Sequence, residues 1–280
     1  MMQLGRWLKV YLPLVLCLVV YGMAQQRLTG QTMASASPEL LISLPRFAQV
    51  LLAAGDRHLA ANLAGFRVLV ADTGRMKAAD YAVQGRLQRD IAWFNPLHED
   101  NFYIGAAILP WNGQVDAAQY VLGKASAARI FDWYPLFHYA FIHYHFRKDP
   151  ATGARYLLEA MPRAATPQDQ WALQSLAAAW IEKGYRTASA AGMVRAMAAN
   201  TPPGGFRVYL EGRAKRLQDL VTLQDAATRF ADRHGRRLAS LQELVDSGLI
   251  AAIPSDPFGY GFSLDVNGWP MLNTQAPASK

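Results

Sequence analysis

Cysteine is nearly missing from this chain of 280 residues, which has one, Cys17, and none after it. A single cysteine cannot form a disulfide within the chain, so a disulfide-stapled scaffold is excluded. Charged residues are also few, at 18 %, whereas apolar residues make up 52 %. This composition excludes an intrinsically disordered chain, and the length is sufficient for one large domain or two smaller ones.

Motifs of catalysis and phosphate binding are missing as well. The chain contains no Gly-x-Ser-x-Gly, no His-Glu-x-x-His and no Gly-x-x-x-x-Gly-Lys. These patterns mark a serine nucleophile, a zinc-binding protease helix and a phosphate-binding loop. The sequence therefore predicts a protein that is not an enzyme and that needs no cofactor.

Val10 to Ala24 is an unbroken uncharged stretch of 15 residues. Trp7 and Leu8 extend it to near the lower limit for crossing a bilayer of about 30 Å, provided that Lys9 reaches back to water. Basic residues precede the stretch, which predicts a cytoplasmic N-terminus and an exported remainder. We therefore expect residues 1–24 to anchor the chain as a single pass through the inner membrane.

A cleaved signal peptide is the second interpretation of this stretch. Gly22-Met-Ala24 offers small residues at the spacing of a cleavage site. Trp7 and Tyr21 stand where an aromatic belt would hold a membrane span, which favours the anchor. The lack of cysteine from residue 25 onward suits an oxidising compartment such as the periplasm. Residues 25–38 are small and polar and are predicted to be a linker.

Basic residues are in moderate excess outside the N-terminal stretch. Without Arg6 and Lys9, 26 of the 28 basic residues remain against 21 acidic ones, a net charge of +5. The densest runs are Arg213-Ala-Lys215-Arg216 and Arg233-His-Gly-Arg236-Arg237. Because they do not form one block, these runs are typical of solvated helix faces, and no nucleic-acid partner is predicted.

Apolar residues recur at helical spacing from Glu39 to Met197, which predicts an all-α body. The loop-like positions Gly113, Lys148 and Gly184 are 35 and 36 residues apart. Counted onward from them, the fifth residue is small, the ninth is large and apolar, and the twelfth is alanine. These three columns are Ala118, Gly153 and Ser189; Leu122, Leu157 and Met193; and Ala125, Ala160 and Ala196.

The columns resemble the tetratricopeptide repeat, a family of helix pairs stacked into a solenoid. The resemblance implies repeats at about 98–131, 132–166 and 167–201, with small residues where paired helices come close. It also implies that the first helix of each repeat faces a peptide-binding groove. Upstream, residues 58–96 are predicted to form a degenerate helix pair, and residues 39–55 a helix that caps the array.

A dense aromatic tract, residues 131–146, is the candidate binding site, because it has more aromatic bulk than the core face of one helix needs. The repeat resemblance implies that a partner protein or peptide of the cell envelope docks there. The predicted ligand groove consists of Asn101, Tyr103, His138, Phe141 and Arg147.

The alternative is that the same tract binds a metal or a small ligand through His138, His143 and His145. A metal site requires ligands that converge on one point. His138 and His145 share a helix face, whereas His143 points away from it. No metal-ligating residues are therefore predicted, and a periplasmic metal- or small-ligand-binding protein that uses residues 131–146 stays open as the alternative function.

Residues 202–280 are predicted to form a separate C-terminal subdomain. Its parts are an amphipathic helix from Arg207 to His234, a short helix opened by the capping box Ser240-Leu-Gln-Glu243, and a β-hairpin that turns at Asn267-Gly268. Gly235 is predicted to cap the long helix.

The run from Leu244 to Gly259, followed by this hairpin, resembles the end of the major pseudopilins of type II secretion systems. The N-terminal cleavage motif of that family is missing here. The resemblance therefore implies only a local helix–turn–hairpin unit, in which Asp256 is predicted to be a turn-forming carboxylate.

The sequence thus predicts a mainly α protein with an N-terminal transmembrane helix. A tetratricopeptide-like α-solenoid of antiparallel helix pairs is expected at 39–201, and a small helix and β-hairpin at 202–280. The predicted function is that of a non-catalytic, membrane-anchored periplasmic adaptor or scaffold. A secretion, pilus or envelope-assembly system is its expected setting, by analogy with the pseudopilin-like end.

Overall fold

The computed structural model describes residues 4–29 and 43–274, and it is mainly helical. Its helices are α1 (Leu4–Thr29), α2 (Arg46–Leu52), α3 (Arg57–Leu69), α4 (Ala78–Phe94), α5 (Glu99–Ile108), α6 (Val115–Ala128), α7 (Tyr134–His145), α8 (Pro150–Ala160), α9 (Pro167–Gly184), α10 (Thr187–Ala199), α11 (Gly205–His234) and α12 (Gln242–Asp246). Two strands, β1 (Phe262–Leu264) and β2 (Pro270–Leu272), form an antiparallel sheet.

The first helix contains the predicted membrane anchor. It is 26 residues long and passes Ala24 to end at Thr29, so the predicted linker begins later than residue 25; its residues 30–38 lie outside the described ones. In the part of the chain that the structure describes, no helix is both long and apolar enough to span a membrane. The predicted transmembrane helix is therefore not supported, since a full span needs about 20 apolar residues.

The N-terminal helix pair forms as predicted, because α3 packs against α4. The carboxylate of Asp56 caps α3 by accepting hydrogen bonds from the backbone N–H groups of His58 and Leu59, at 2.7 and 3.2 Å. These bonds lower the pKa of Asp56. Before this pair, α2 has only 7 residues, fewer than the capping helix predicted at 39–55. A left-handed turn, with φ of 53° at Ala54 and 87° at Gly55, ends it early.

Three further helix pairs, α5–α6, α7–α8 and α9–α10, coincide with the three predicted repeats, and consecutive helices pack against each other throughout. The predicted contact residues of α6 and α8 are buried. Ala118 and Ala160 are 0 % exposed. At Gly153 a Cβ would lie 2.9 Å from Cε3 of Trp180, so only glycine allows this approach of α8 to α9. The other predicted packing residues of these two helices, Leu122, Ala125 and Leu157, are also buried.

In the third repeat, the buried residues lie one position after the ones that the sequence columns predict. Ser189 and Ala196 are exposed and Met193 is half-buried, whereas Ala190 and Val194 are 0 % exposed. The cause is the position of the turn. Gly113 and Lys148 lie in left-handed turns before their second helices. Gly184 is instead the last residue of α9, so α10 starts one residue later than the spacing predicts.

The long helix α11 belongs to two cores. Its first half contributes Leu210, Ala214 and Leu217 to the core that α7–α10 build. Its second half contributes Leu223 and Phe230 to a smaller core that also contains residues of α12 and the hairpin. Gly235, with φ of 67°, ends α11 as predicted. The large core therefore includes residues on both sides of position 202, where the sequence predicts the start of a separate subdomain.

The C-terminal hairpin confirms the predicted turn. Phe262 lies opposite Leu272 in the sheet, and Oδ1 of Asp265 accepts hydrogen bonds from the backbone N–H groups of Asn267 and Trp269, both at 2.8 Å. The predicted capping box is wrong in detail, because the short helix α12 begins only at Gln242.

Glu243 accepts instead from the backbone N–H of Ala239 at 2.9 Å and pairs with Arg236 at 2.7 Å. These contacts, with that to Arg236 first, lower the pKa of Glu243 to about 2.

Candidate functional site

One face of α7 consists of aromatic and histidine side chains. Tyr134, His138, Phe141 and His145 follow each other at the i, i+4, i+7 and i+11 spacing that places residues on one side of a helix. Tyr134 is 42 % exposed, and the other three are half-buried. This face is continued by neighbouring helices and turns. We call the whole set the aromatic surface; it consists of Tyr103, Trp111, Tyr134, His138, Phe141 and His145.

Ring contacts join α5 and α7 at one end of this surface. The ring centroid of Tyr103 lies 6.1 Å from that of Tyr134 and 6.2 Å from that of His138. Trp133 stacks on Tyr134 at 4.0 Å. Contacts of this kind hold large rings in fixed positions while their outer faces stay accessible.

The other end of the surface is built around Trp111, which is 58 % exposed in the turn after α5. Its ring centroid lies 5.1 Å from that of His145 and 4.8 Å from that of Phe146. Phe141 stacks on His145 at 5.3 Å. The surface therefore offers two ordered groups of rings along one helix.

Partial burial sets the protonation of this surface. Burial lowers the pKa of His138, against the opposing effect of nearby Asp132. The pKa of Tyr103 is raised, first by burial and then by the charges of Asp132 and Glu99. Near pH 7 the neutral forms of both rings are thus favoured, which suits contact with an apolar partner.

The structure brings together three of the five predicted groove residues, Tyr103, His138 and Phe141, and separates Asn101 and Arg147 from them. Asn101 is 4 % exposed and its Nδ2 donates to the backbone oxygen of Gln88 on α4 at 3.0 Å. It stands two positions from Tyr103, and residues so spaced point to opposite sides of a helix.

Arg147 lies beyond the end of α7 and turns toward α6. There its guanidinium donates to Oε1 of Gln119 at 2.8 Å and pairs with Asp116. The predicted groove is therefore wrong in its two polar members, Asn101 and Arg147, which lie away from the other three residues.

A second aromatic group lies where α7 meets α6 and α8. The ring centroid of Tyr139 lies 5.2 Å from that of His143 and 4.8 Å from that of Tyr156. Nε2 of His143 is 3.2 Å from Nε2 of Gln119. Burial lowers the pKa of His143, although Asp149 opposes this shift. This group joins three helices and is separate from the aromatic surface.

The three histidines of the tract do not converge. His138 contacts Tyr103, His143 contacts Gln119, and His145 lies between Trp111 and Phe141. Among the described residues, no group of three or more His, Cys, Asp or Glu side chains could hold a metal ion. The metal form of the alternative function is therefore not supported.

The two basic runs of the sequence are largely engaged in contacts within the fold. Four of their members form ion pairs, namely Arg213 with Glu182, Lys215 with Asp219, Arg216 with Asp256 and Arg236 with Glu243. The guanidinium of Arg237 lies 5.2 Å from the ring centroid of Trp269. These contacts stabilise helix and hairpin packing.

Sequence reasoning missed Trp111 and the surface role of Tyr134. Trp111 lies outside the tract, and the available signal was a tryptophan in a turn directly before the second helix of a repeat. Tyr134 lies inside the tract at 131–146, and its spacing from His138 and Phe141 marks a shared helix face. Phe131, which precedes α7, is 90 % exposed.

Comparisons with known proteins assign no family to the chain. It matches no protein-family model, no curated protein and no solved structure.

Proposed function

We propose that the protein is a non-catalytic adaptor of the cell envelope that binds another protein or peptide through its aromatic surface. The observation that carries the proposal is the exposure of large rings in fixed positions, with Trp111 at 58 % and Tyr134 at 42 %. Exposed aromatic side chains are enriched where proteins bind each other. Burial lowers the pKa of His138 and His143. His138 contacts the ring of Tyr103 and His143 contacts the side-chain amide of Gln119, and neither contact is with a nucleophile.

A tetratricopeptide-like array is part of this proposal. Its support is that the fourth residue of each second helix is small and buried, namely Ala118 in α6, Gly153 in α8 and Ala190 in α10. Small residues at that point allow close packing of the two helices in a pair. In such arrays the first helices carry the binding groove, and the aromatic surface lies on α5 and α7.

Membrane attachment through α1 is the second part. All large apolar side chains of α1 from Leu14 to Met23 are at least 52 % exposed. Such a surface is unfavourable in water, and basic residues precede it as expected for a cytoplasmic N-terminus in the inner membrane. The proposal requires that α1 stays inserted in the bilayer and that the rest of the chain is periplasmic.

Site-specific photo-crosslinking in intact membranes tests the adaptor role. A photoreactive amino acid in place of Tyr134 is expected to form an adduct with another protein. The same amino acid in place of Tyr260, which is 38 % exposed on the C-terminal hairpin unit, is the matched control and should form none. The proposal fails if position 134 forms no adduct, or if both positions form the same one.

Two measurements test the remaining alternatives. After alkaline extraction the full chain is expected in the membrane pellet with its N-terminal residues intact, whereas a mature chain that starts at Gln25 would show a cleaved signal peptide. For the ligand alternative, stoichiometric metal in the purified protein that is lost on His138→Ala would favour a binding protein over an adaptor.

A further inference from the structure

Helix α3 buries mainly small residues, with Val68 as the one large apolar exception, and exposes its other large apolar residues. The residues that it buries most deeply are Ala60 at 2 %, Ala61 at 0 % and Ala64 at 3 % exposed. The large side chains that it exposes are Leu59 at 43 %, Leu63 at 50 %, Phe66 at 64 % and, at its C-cap, Val70 at 45 %. An ordinary surface helix has the reverse arrangement, with its large apolar residues in the core.

These exposed residues form a single stripe. They follow the i, i+4, i+7 and i+11 spacing, which keeps them within about 60° around the helix axis. On α2, Phe47, Leu51 and Leu52 are exposed to 76 %, 76 % and 72 %. We call these seven residues the outer face. Seven large apolar side chains that are each at least 43 % exposed mark a surface that a partner molecule or a membrane covers.

A short connection joins α1 to the helices that carry the outer face. Thirteen residues, 30–42, connect Thr29 to the first described residue of the domain, Ser43. Even a fully extended chain of this length spans at most about 45 Å. If α1 is in the bilayer, the start of α2 therefore lies within about 45 Å of the end of α1.

The charge around the outer face suits an anionic bilayer. Residues 43–96 contain seven Arg and Lys residues and four Asp residues, with no Glu. Each of the four carboxylates accepts a hydrogen bond within the fold: Asp56 from His58, Asp72 from Gly74, Asp80 from Lys77 and Asp90 from Arg46. The segment therefore has a net charge of +3, seven basic residues less four acidic ones, which is attracted to acidic headgroups.

A cleft beside α2 adds to this charge. It has a volume of about 330 Å³, and its lining includes Arg46, Arg86 and Arg89 together with Asp90. Guanidinium groups bind phosphate through several hydrogen bonds at once. The cleft is therefore chemically suited to the phosphate of a lipid headgroup next to the apolar outer face.

We infer that the outer face of α2 and α3 lies on the anionic surface of the membrane that holds α1, which makes it a second membrane contact. This inference rests on the proposed membrane location. A second copy of the chain would be disfavoured at this face, because two basic surfaces would meet. The contact would fix the orientation of the domain and leave the aromatic surface free for a partner.

Fluorescence quenching with the full chain in vesicles tests this contact. The single substitutions Leu63→Cys, Val19→Cys and Val266→Cys are made in a Cys17→Ser background. Each new cysteine is labelled with an environment-sensitive fluorophore. The vesicles consist of phosphatidylcholine with a minor share of phosphatidylglycerol. Lipids that carry a spin label are expected to quench positions 63 and 19 to a similar extent. Position 266, at the hairpin turn and fully exposed, should remain unquenched.

The outcomes separate the inference from the proposal on which it rests. Quenching at position 19 without quenching at 63 overturns the second contact and leaves the α1 attachment intact. No quenching at either position overturns both. Omission of phosphatidylglycerol should reduce quenching at position 63 only. Disulfide-linked dimers of the unlabelled Leu63→Cys variant in these vesicles would assign the face to a second copy instead and would contradict the inference.

Discussion

Nε of Arg216 donates a hydrogen bond to Oδ2 of Asp256 at 2.9 Å, and the side chain of Asp256 is 1 % exposed. The same carboxylate accepts from the backbone N–H groups of Phe258 at 3.0 Å and Gly261 at 2.7 Å. Asp256 is thus the turn-forming carboxylate that the sequence predicts, and it also ties the turn to α11. Nη2 of Arg216 continues the connection to the backbone oxygen of Asn273 at 2.6 Å.

The substitution Asp256→Asn is expected to lower the free energy of unfolding by about 3–5 kcal/mol, because it leaves the buried guanidinium of Arg216 without its counter-charge. Urea unfolding measures the loss, and limited proteolysis should show earlier cleavage after α12. Asp72→Asn is the control, since its pair with Arg75 is exposed, at 57 % and 80 %, and is worth at most about 1 kcal/mol. Equal losses in both variants would contradict the assigned role of the pair.

Larger side chains at the helix contacts test the packing of the repeats. Ala118→Leu and Ala160→Leu are each expected to cost about 1–3 kcal/mol, because both alanines are fully buried. Ala196→Leu is the matched control, since Ala196 is exposed and its replacement should change stability by less than about 0.5 kcal/mol. Thermal unfolding measures all three. A loss at position 196 equal to that at 118 would restore the original column and refute the shifted one.

Two helical glycines are expected to respond to alanine in opposite directions. At Gly153 a Cβ would lie 2.9 Å from Cε3 of Trp180 and 3.1 Å from the backbone oxygen of Ala140, so Gly153→Ala should destabilise the fold. At Gly192, in α10, nothing lies within 4 Å of the added Cβ. Gly192→Ala should therefore stabilise the helix by about 0.5–1 kcal/mol. Urea unfolding of both variants measures the change in the free energy of unfolding. Changes of the same sign in both variants would argue against the packing of α8 on α9.

Two buried glutamines of α4 are expected to reduce the stability of the fold. Gln84 and Gln88 are 0 % exposed, and their side-chain amides have no hydrogen-bond partner among the described residues. Gln84→Met, similar in shape, should raise the free energy of unfolding by about 1 kcal/mol by removing a desolvated amide. Gln174→Met is the control of opposite sign, because it breaks the 3.0 Å bond to Thr201. Differential scanning calorimetry of both variants measures the effect, and destabilisation by Gln84→Met would show that the amide is satisfied.

Acidification is expected to weaken the fold through His138 and His143. Burial lowers the pKa of both below the value of about 6.5 for a free histidine, so the unfolded chain binds protons more readily than the folded one. Their contribution is fully present above about pH 7.5 and is lost as the pH falls through 6.5 toward the lowered pKa.

Urea unfolding at pH 7.5 and pH 5.5 measures this dependence, and the double variant His138→Asn and His143→Asn should show a smaller difference between the two conditions. A wild-type stability that rises on acidification, or a variant with unchanged pH dependence, would contradict the assignment.

Local patterns predicted most of the helices. The apolar spacing along residues 78–94 and 207–234, the glycine at 235 and the Asn-Gly turn each act over a few residues, and the structure has them nearly where the sequence predicts. The candidate site was harder to predict, because Asn101 and Tyr103 are two positions apart in sequence and lie on opposite sides of α5. A groove that spans several helices depends on how those helices rotate against each other, which short-range patterns do not specify.

The amino-acid sequence alone determined that this is a helical chain with helix pairs recurring at about 35 residues and a short hairpin at its end, because helix periodicity and turn chemistry are local properties. The tertiary structure decided the rest. It moved the third repeat by one residue, since Gly184 closes a helix against Ala151 instead of forming a turn. It also turned Leu59, Leu63 and Leu69 of α3 outward, because the face of α3 that packs in the core shared with α4 consists of Ala60, Ala61, Ala64, Gly65 and Val68. Which apolar residues are covered is a property of the packed helices, and it decides where this protein can bind.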